Sequence, residues 1–498
     1  MLLSTPSRYR RRLFTVSLRF SAKSNISSSS SQAKLLNPPD EDCRGFLPWL
    51  EEKAGAEIST KLYIGKSSYG RSLFASQHIQ RGDCILKVPF KAQIAPDNLP
   101  RDVKVILVDE VDHVSMVAVA ILAETKHGKD SRWAPYISCF PRLEEMNSTV
   151  FWSEDELNMI YGSTVYEETI KQKFIIRDAF SKIRPDVSSI SSLYQFGMGR
   201  ISITTPEVLE TFPEVFGSIL YEDFMHAYAL VKSRAWECPK GVSLIPFADF
   251  LNHDGFSEAI VVNDEEKQES EVTADCNYAP EGEVRISYGK LANATLMLDF
   301  GFTIQHNIHD QVEIQMSVPD GDILHQMKME IFQRHELPTI CDANDVKSSS
   351  WNCFTIREVK SAKGKGKGIP QSIRAFARVL SCTRPEDLSD LAVEAAQNDG
   401  RLARRPFKDN SREIRAHTIL LSHINRLIDQ CHASIKSLLP RSFVVSASGR
   451  HSFRRQMAMD LHTGELRVLK SASAWLENYC EKLSKGVAKM VDRPTYNT

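Results

Sequence analysis

Apolar positions between residues 62 and 89 come in short runs, broken by turn residues at Gly65, Tyr69-Gly70 and Arg81-Gly82-Asp83, which is the spacing of short strands in a small β unit. Ahead of them Phe46-Leu-Pro-Trp-Leu50 predicts a short amphipathic helix. From about 101 to 230 the pattern turns helical, with the apolar stretch Val117-Ala-Val-Ala-Ile-Leu122 and a capped helix start at Ser153-Glu-Asp-Glu156. Strand signals return after Gly241 at Ile260-Val-Val262 and at Val284-Arg-Ile-Ser287, where Val284 and Ile286 alternate with polar neighbours; the polar run Asn263-Asp-Glu-Glu266 reads as a hairpin loop between them. In the last third, Ile373, Phe376, Ala377 and Leu380 mark one helix face, and Ala416, Leu420, Ile424, Leu427, Ile428 and Cys431 mark a longer one. The basic stretch Lys363-Gly-Lys-Gly-Lys-Gly368 before them reads as a flexible, solvated linker. The pattern predicts an α+β chain: a β-rich domain over 45–305 interrupted by a helical insertion at about 101–230, then a mostly α-helical domain over 320–490.

Length supports that division, since 498 residues exceed what one hydrophobic core usually holds, about 250 to 300. A net charge of -1 gives no excess basicity for nucleic acid or an anionic membrane, and no apolar run approaches the roughly 18 residues of a membrane span. The ten cysteines are scattered without a CxxC pair, which favours reduced core thiols over disulfides or a zinc site. Residues 1–39 differ from the rest. They carry Arg8, Arg10, Arg11, Arg12 and Arg19, many serines and no acidic residue, the composition of an organelle transit peptide, mitochondrial by its early arginines or plastid by its serine run.

Three segments could carry chemistry: Tyr69-Gly-Arg-Ser-Leu-Phe-Ala75, Ile245-Pro-Phe-Ala-Asp-Phe-Leu-Asn-His253, and Ile286-Ser-Tyr-Gly-Lys-Leu-Ala-Asn293 continuing to Asp299-Phe-Gly-Phe302. A glycine turn between strands lets backbone approach a ligand, so Gly70 could hold a cofactor edge or simply close a hairpin. Asn252 and His253 end an apolar run where an amide and an imidazole can hydrogen-bond a ligand or each other's turn. Tyr288 follows a strand end, where a phenol reaches a cleft or anchors structure. His306 and His309 lie three apart without cysteine or carboxylate partners at metal spacing, so no metal is expected.

Taken in order, with Ser233-Arg234-Ala235-Trp236 between the helical insertion and the Asn-His segment, these motifs resemble the split SET domain of the plant Rubisco large-subunit methyltransferase family. The later segments Arg374-Ala-Phe-Ala-Arg378 and Arg412-Glu-Ile-Arg-Ala-His417 are similar to that family's substrate-binding domain. The resemblance runs from about residue 45 to 490. It implies an S-adenosylmethionine-dependent protein-lysine methyltransferase acting on a non-histone protein, with that substrate docked on the C-terminal helices. By the matching positions, Tyr69, Gly70, Arg71, Arg234, Asn252 and His253 would line the cofactor pocket. Arg234 would pair with the cofactor carboxylate. Asp249, Tyr288 and Phe300 would face the substrate lysine, with Arg234 beside them and Tyr288 as the catalytic residue that orients the amine.

The chain departs from the family pattern at Ser72, where a second turn glycine is common, at Cys238, where an arginine is expected, and at Phe300, a frequent tyrosine position. These departures make Rubisco itself a doubtful acceptor. Two alternatives stay open: a SET-fold protein that binds a partner with little or no turnover, and a methyltransferase whose acceptor is a protein histidine.

Overall fold

The computed structural model describes residues 37–99, 111–183, 220–238, 241–335, 337, 352–397, 400–439 and 449–491. The transit-peptide composition at 1–39 falls outside these residues up to 36, as do 100–110 and 184–219 of the helical insertion.

The N-terminal turn leads into α1 (Phe46–Ala54), which buries Phe46, Leu50 and Ala54 and ends at left-handed Gly55. Strands β1 (Leu62–Ser67) and β2 (Gly70–Ala75) form an antiparallel hairpin with Ser67 opposite Gly70. The insertion supplies α2 (His113–His127), α3 (Thr164–Ile183) and α4 (Tyr221–Arg234). Helix α2 is apolar on nearly every side because it runs through the core, burying Val117 to Ala123. The chain then returns to strand. The β-rich part holds β3 (Cys84–Pro89), β4 (Ala235–Cys238), β5 (Gly241–Leu244), β6 (Asn252–His253), β7 (Val261–Asp264), β8 (Glu269–Thr273) and β9 (Glu283–Ile286). They make a sheet in the order β1-β2-β9-β6, a second in the order β3-β8-β7, and the pair β4-β5. In β9 the alternation predicted from sequence is observed, Val284 and Ile286 being fully buried between half-buried Glu283 and Arg285. The hairpin differs from expectation in two ways: its turn sits two residues later, at 265–268, because Asn263 and Asp264 still pair with Ser270 and Glu269, and its second strand is β8, whereas the segment at Val284 joins the other sheet beside β2 and β6.

The C-terminal part opens with β10 (Gln311–Gln315) paired to β11 (Cys353–Arg357) around α5 (His325–Arg334). Helices α6 (Gln371–Leu380), α7 (Pro385–Gln397), α8 (Asn410–Leu438) and α9 (Gly449–Val491) follow. Ala416, Leu420, Ile424 and Cys431 are buried along α8, the face its periodicity predicts. One expectation is corrected. The stretch Lys363–Gly368 is not a free linker: Trp475 of α9 donates its Nε1–H to Gly364 O at 3.0 Å, and a Cβ at Gly366 would fall 2.5 Å from the Trp475 ring. Its lysines point to solvent while its glycines let the chain lie flat on an indole, a contact that composition alone does not reveal.

The residues bury two separate cores, one between Cys43 and Ile286 and one between Val312 and Leu476. A third apolar cluster bridges them, setting Trp152, Leu157 and Met297 against Leu438, Met457 and Leu461. Beside it Ser153 caps the turn Glu154–Leu157 through a reciprocal bond with Glu156, as the sequence predicts, and the same Glu156 carboxylate takes an ion pair from Arg454 of α9.

Candidate functional site

The segment Ile245–His253 positions the site through one unusual backbone residue. Phe247 is fully buried with φ 75° and ψ -48°, the region of a strained γ-turn that a bulky residue holds only when its surroundings fix it. The turn swings Ala248–Phe250 into a single 3-10 turn and drives the Asp249 side chain inward, where it is fully buried. One carboxylate oxygen, Oδ2, accepts from Arg234 Nη1 at 2.9 Å and from the Tyr136 hydroxyl at 2.9 Å. The other, Oδ1, is buried without a hydrogen-bond partner. Burial pushes the Asp249 carboxyl above the usual range, with the Arg234 charge opposing that shift. Arg234, the last residue of α4, also donates to Asp249 O at 3.0 Å and lies between the rings of Phe140 and Phe250, 5.8 Å from each.

Tyr288 stands next to this pair. Its hydroxyl donates to Leu251 O at 2.7 Å, and its backbone N–H donates to His253 Nδ1 at 3.0 Å, which fixes that nitrogen as the unprotonated one. Burial holds the Tyr288 phenol protonated well beyond neutrality, with Asp249 adding to the effect and Arg234 opposing it. Burial likewise lowers the His253 pKa, so the imidazole is neutral. Aromatic rings close the wall: His253 stacks on Tyr288 at 5.1 Å, Phe300 lies 5.1 Å from Tyr288, and Phe302 lies 6.2 Å from His253. A π-helical turn over Leu296–Phe300 presents Phe300, an irregularity that often marks functional positions.

The β1-β2 hairpin forms the other side. Asn252 Nδ2 donates to Glu283 Oε1 at 3.1 Å and reaches Ser67 Oγ at 3.4 Å, tying β6 to the hairpin and to β9. Tyr69 is two-thirds exposed at the hairpin tip. Gly70 has φ +105° with open space where a Cβ would stand, so no side chain blocks that edge. Arg71 points the other way, as strand alternation requires, and binds Asp40 Oδ2 at 2.7 Å and Cys139 O at 3.1 Å. Arg234, Asp249, His253, Tyr288 and Phe300 thus meet in one cluster, with Asn252, Tyr69 and Gly70 beside it on the hairpin side, whereas the Arg71 guanidinium is engaged elsewhere. Ser72 is fully buried within β2, opposite Gly65 and near Glu283.

Sequence reasoning missed Tyr136, Glu283 and Phe250. Glu283 was reachable, because it stands one residue before the predicted strand that pairs with the Asn-His segment. Tyr136 was not: it lies 113 residues from the carboxylate it holds.

Comparison with known proteins accords with this architecture. Residues 319–469 match the family model for a Rubisco LSMT substrate-binding domain. The fold matches the structure described as Rubisco LSMT bound to AdoMet with a TM-score of 0.64, at 18% identity, covering 92% of this chain and 98% of that one. A second, the SET domain of LSMT bound to lysine and AdoHcy, matches with a TM-score of 0.63 at 17% identity, over 92% and 96%. Among curated proteins, the chain is 24% identical to the Nicotiana tabacum ribulose-1,5 bisphosphate carboxylase/oxygenase large subunit N-methyltransferase, over 91% of this chain and 85% of that protein. It is 25% identical to the Arabidopsis thaliana [fructose-bisphosphate aldolase]-lysine N-methyltransferase, where the match spans 63% of this chain and only 61% of the relative. It is 23% identical to the human actin-histidine N-methyltransferase, over 88% and 70%. The fold is that of a SET domain with an α-helical C-terminal domain behind it. More closely, the chain is similar to the Rubisco LSMT proteins, in its substrate-binding domain over 319–469 and in the fold of the whole.

Proposed function

We propose that the protein is an S-adenosylmethionine-dependent protein methyltransferase whose acceptor is the side-chain amine of a lysine in a non-histone protein. The observation that carries the reading is the convergence of Arg234, Asp249 and Tyr288 inside the aromatic wall of His253, Phe300 and Phe302, on a fold that matches an AdoMet-bound methyltransferase. The residues fit such a donor. Gly70 leaves an open hairpin edge, Arg234 offers a guanidinium fork for a carboxylate, and Asp249 Oδ1 is a buried acceptor with no partner of its own. When bound, the donor supplies a methyl group already activated by its sulfonium.

The chain's own residues then have three tasks. Arg234, Asn252 and the hairpin edge at Tyr69 and Gly70 hold the donor. The aromatic wall disfavours the ammonium form of the acceptor, which matters because neutralising a lysine of pKa about 10.4 at pH 7 costs roughly 4 to 5 kcal/mol. Tyr288, protonated at neutral pH, orients the amine through its hydroxyl and does not act as the base. The Rubisco LSMT substrate-binding match at 319–469 supports docking of a protein acceptor on the helical domain. The basic, serine-rich 1–39 and the chloroplastic relatives support an organellar location.

The similarity to an actin-histidine methyltransferase favours a second reading, with imidazole as acceptor. One experiment separates them. The full chain is titrated with S-adenosylmethionine in a calorimeter and then incubated with the labelled donor and organelle extract, and the labelled protein is hydrolysed for amino-acid analysis. Labelled methyllysine is the expected result. Labelled methylhistidine would transfer the reading to histidine, and no donor binding by folded protein would refute both in favour of a partner-binding SET protein.

A further inference from the structure

Cys43 and Cys139 are 96 residues apart in sequence, yet their Sγ atoms lie 3.1 Å apart and both residues are buried. We propose that these two thiols form a redox-modification site, closed to an intramolecular disulfide by a disulfide oxidant of the glutathione class. The sulfurs need only about 1 Å of further approach to reach a bond of about 2.0 Å. The surroundings hold them in place from both sides. Arg71 spans the pair, binding Asp40 Oδ2 at 2.7 Å ahead of Cys43 and Cys139 O at 3.1 Å. The Cys139 thiol has Pro135 O at 3.3 Å as a second acceptor, so neither sulfur is free to swing far.

The environment also assigns the order of events. The Arg71 charge favours the thiolate at both sulfurs, against the effect of burial. Cys43, flanked by exposed residues on the N-terminal turn, is the attacking sulfur, and Cys139, held beneath it, is the resolving one. Access comes from the N-terminal turn. Glu41, Asp42, Arg44 and Gly45 around Cys43 are exposed, and the turn is pinned through Asp40, which pairs with Arg71 and with Lys66 at 3.2 Å. Transient loss of those pairs lifts Cys43 into solvent beside the guanidinium that favours its thiolate. The thiolate attacks one sulfur of glutathione disulfide, whose S–S bond breaks to release one glutathione. Cys139, giving up its proton, then attacks Cys43 Sγ and displaces the second. Two thiols are oxidised, one disulfide is reduced, and the two protons end on two glutathiones.

The bond would join the turn at 40–45 to Cys139, two residues past the turn Ala134–Ile137 that carries Tyr136 and hence supports Asp249. The proposal stands apart from the methyl-transfer reading, and its test needs no turnover. The full chain is equilibrated in glutathione buffers from reducing to strongly oxidising, quenched with an alkylating reagent and mapped by peptide mass spectrometry. The expected product is a crosslinked peptide pair containing Cys43 and Cys139, with a thermal midpoint several degrees above the reduced form and slower amide exchange at 40–45. The crosslink and the shift are lost in Cys43→Ser and in Cys139→Ser and persist in Cys276→Ser, which alters an exposed thiol. Recovery of both peptides alkylated at the most oxidising ratio, separate glutathione adducts without a crosslink, or a crosslink to other cysteines overturns the proposal. The wild-type mapping decides this even if a serine variant does not fold.

Discussion

His417 is a buried histidine whose protonation state the fold dictates, so acid should unfold the helical domain partly through this one ring. Arg374 Nε, always a donor, points at His417 Nε2 at 3.1 Å, and His417 Nδ1 lies 2.9 Å from Glu413 O. Nε2 must accept and Nδ1 must donate, which is the neutral imidazole. Burial pushes its pKa down to about 4 from the ordinary 6.5, against the pull of the Glu413 carboxylate. As pH falls the unfolded chain takes up the proton first. The stability that neutral His417 represents is complete above pH 6.5 and is lost progressively down to about pH 4. At 1.36 kcal/mol per unit, the gap of about 2.5 units is worth about 3 kcal/mol, of which about 2 is gone by pH 5. The assay is urea unfolding at pH 7, 6, 5 and 4.5 for the wild type and for His417→Gln, whose amide oxygen can still accept from Arg374. Other groups titrate in both proteins, so the difference between the two pH curves isolates His417: the wild type should lose about 2 kcal/mol more than the variant between pH 7 and pH 5. A flat difference curve, or one of opposite slope, would refute the argument.

Three further outcomes are expected. Tyr136→Phe removes a hydrogen bond to a buried carboxylate and should cost about 1.5 to 3 kcal/mol in urea unfolding; a loss below about 0.5 would mean that Arg234 alone satisfies Asp249. Gly464→Ala on α9 should destabilise by about 1 to 3 kcal/mol, although glycine to alanine in a helix normally gains about 1. The new Cβ would collide with Asp310, which accepts from Asn293 N at 3.0 Å and pairs with Arg467, and a stabilised variant would contradict this packing. Tyr288→Phe should reduce methyl transfer at least about 100-fold while leaving donor affinity within about twofold, measured by calorimetry and label transfer; equal turnover would remove Tyr288 from the chemistry.

Legibility of the sequence followed the range of the interaction. Local rules worked where one stretch decides the outcome: the Ser153 cap, the alternation in β9 and the apolar face of α8 are set by neighbours in the chain. The resemblance also picked out Arg234, Asp249, His253 and Tyr288, which the fold gathers. What stayed hidden was set by distant partners. The strained Phe247 turn that aims Asp249 has no propensity signal, since nothing in a phenylalanine asks for positive φ. The motifs Arg374–Arg378 and Arg412–His417 read as substrate-binding signatures, yet much of their charge faces inward. Arg378 makes a buried two-pronged pair with Glu413 at 2.9 and 2.7 Å, and Arg374 is buried over the rings of Trp475 and Tyr479. Those residues shape the helical domain from within, and a docking surface has to be sought on its outer faces.

Helix α9 has a mechanical consequence. Its 43 residues would run roughly 65 Å if straight. Near its start Arg454 grips Phe151 O and Glu156 of the β-rich part, six residues on Asp460 accepts from Thr303 at 2.9 Å, and past the midpoint Trp475 is packed into the helical core. One continuous beam therefore belongs to both halves. On the function proposed above, a protein acceptor seated on the helical half would meet the aromatic cleft at a set spacing, and its residue would be chosen partly as a gauge chooses a part: by how far the target lies from the place where it is held.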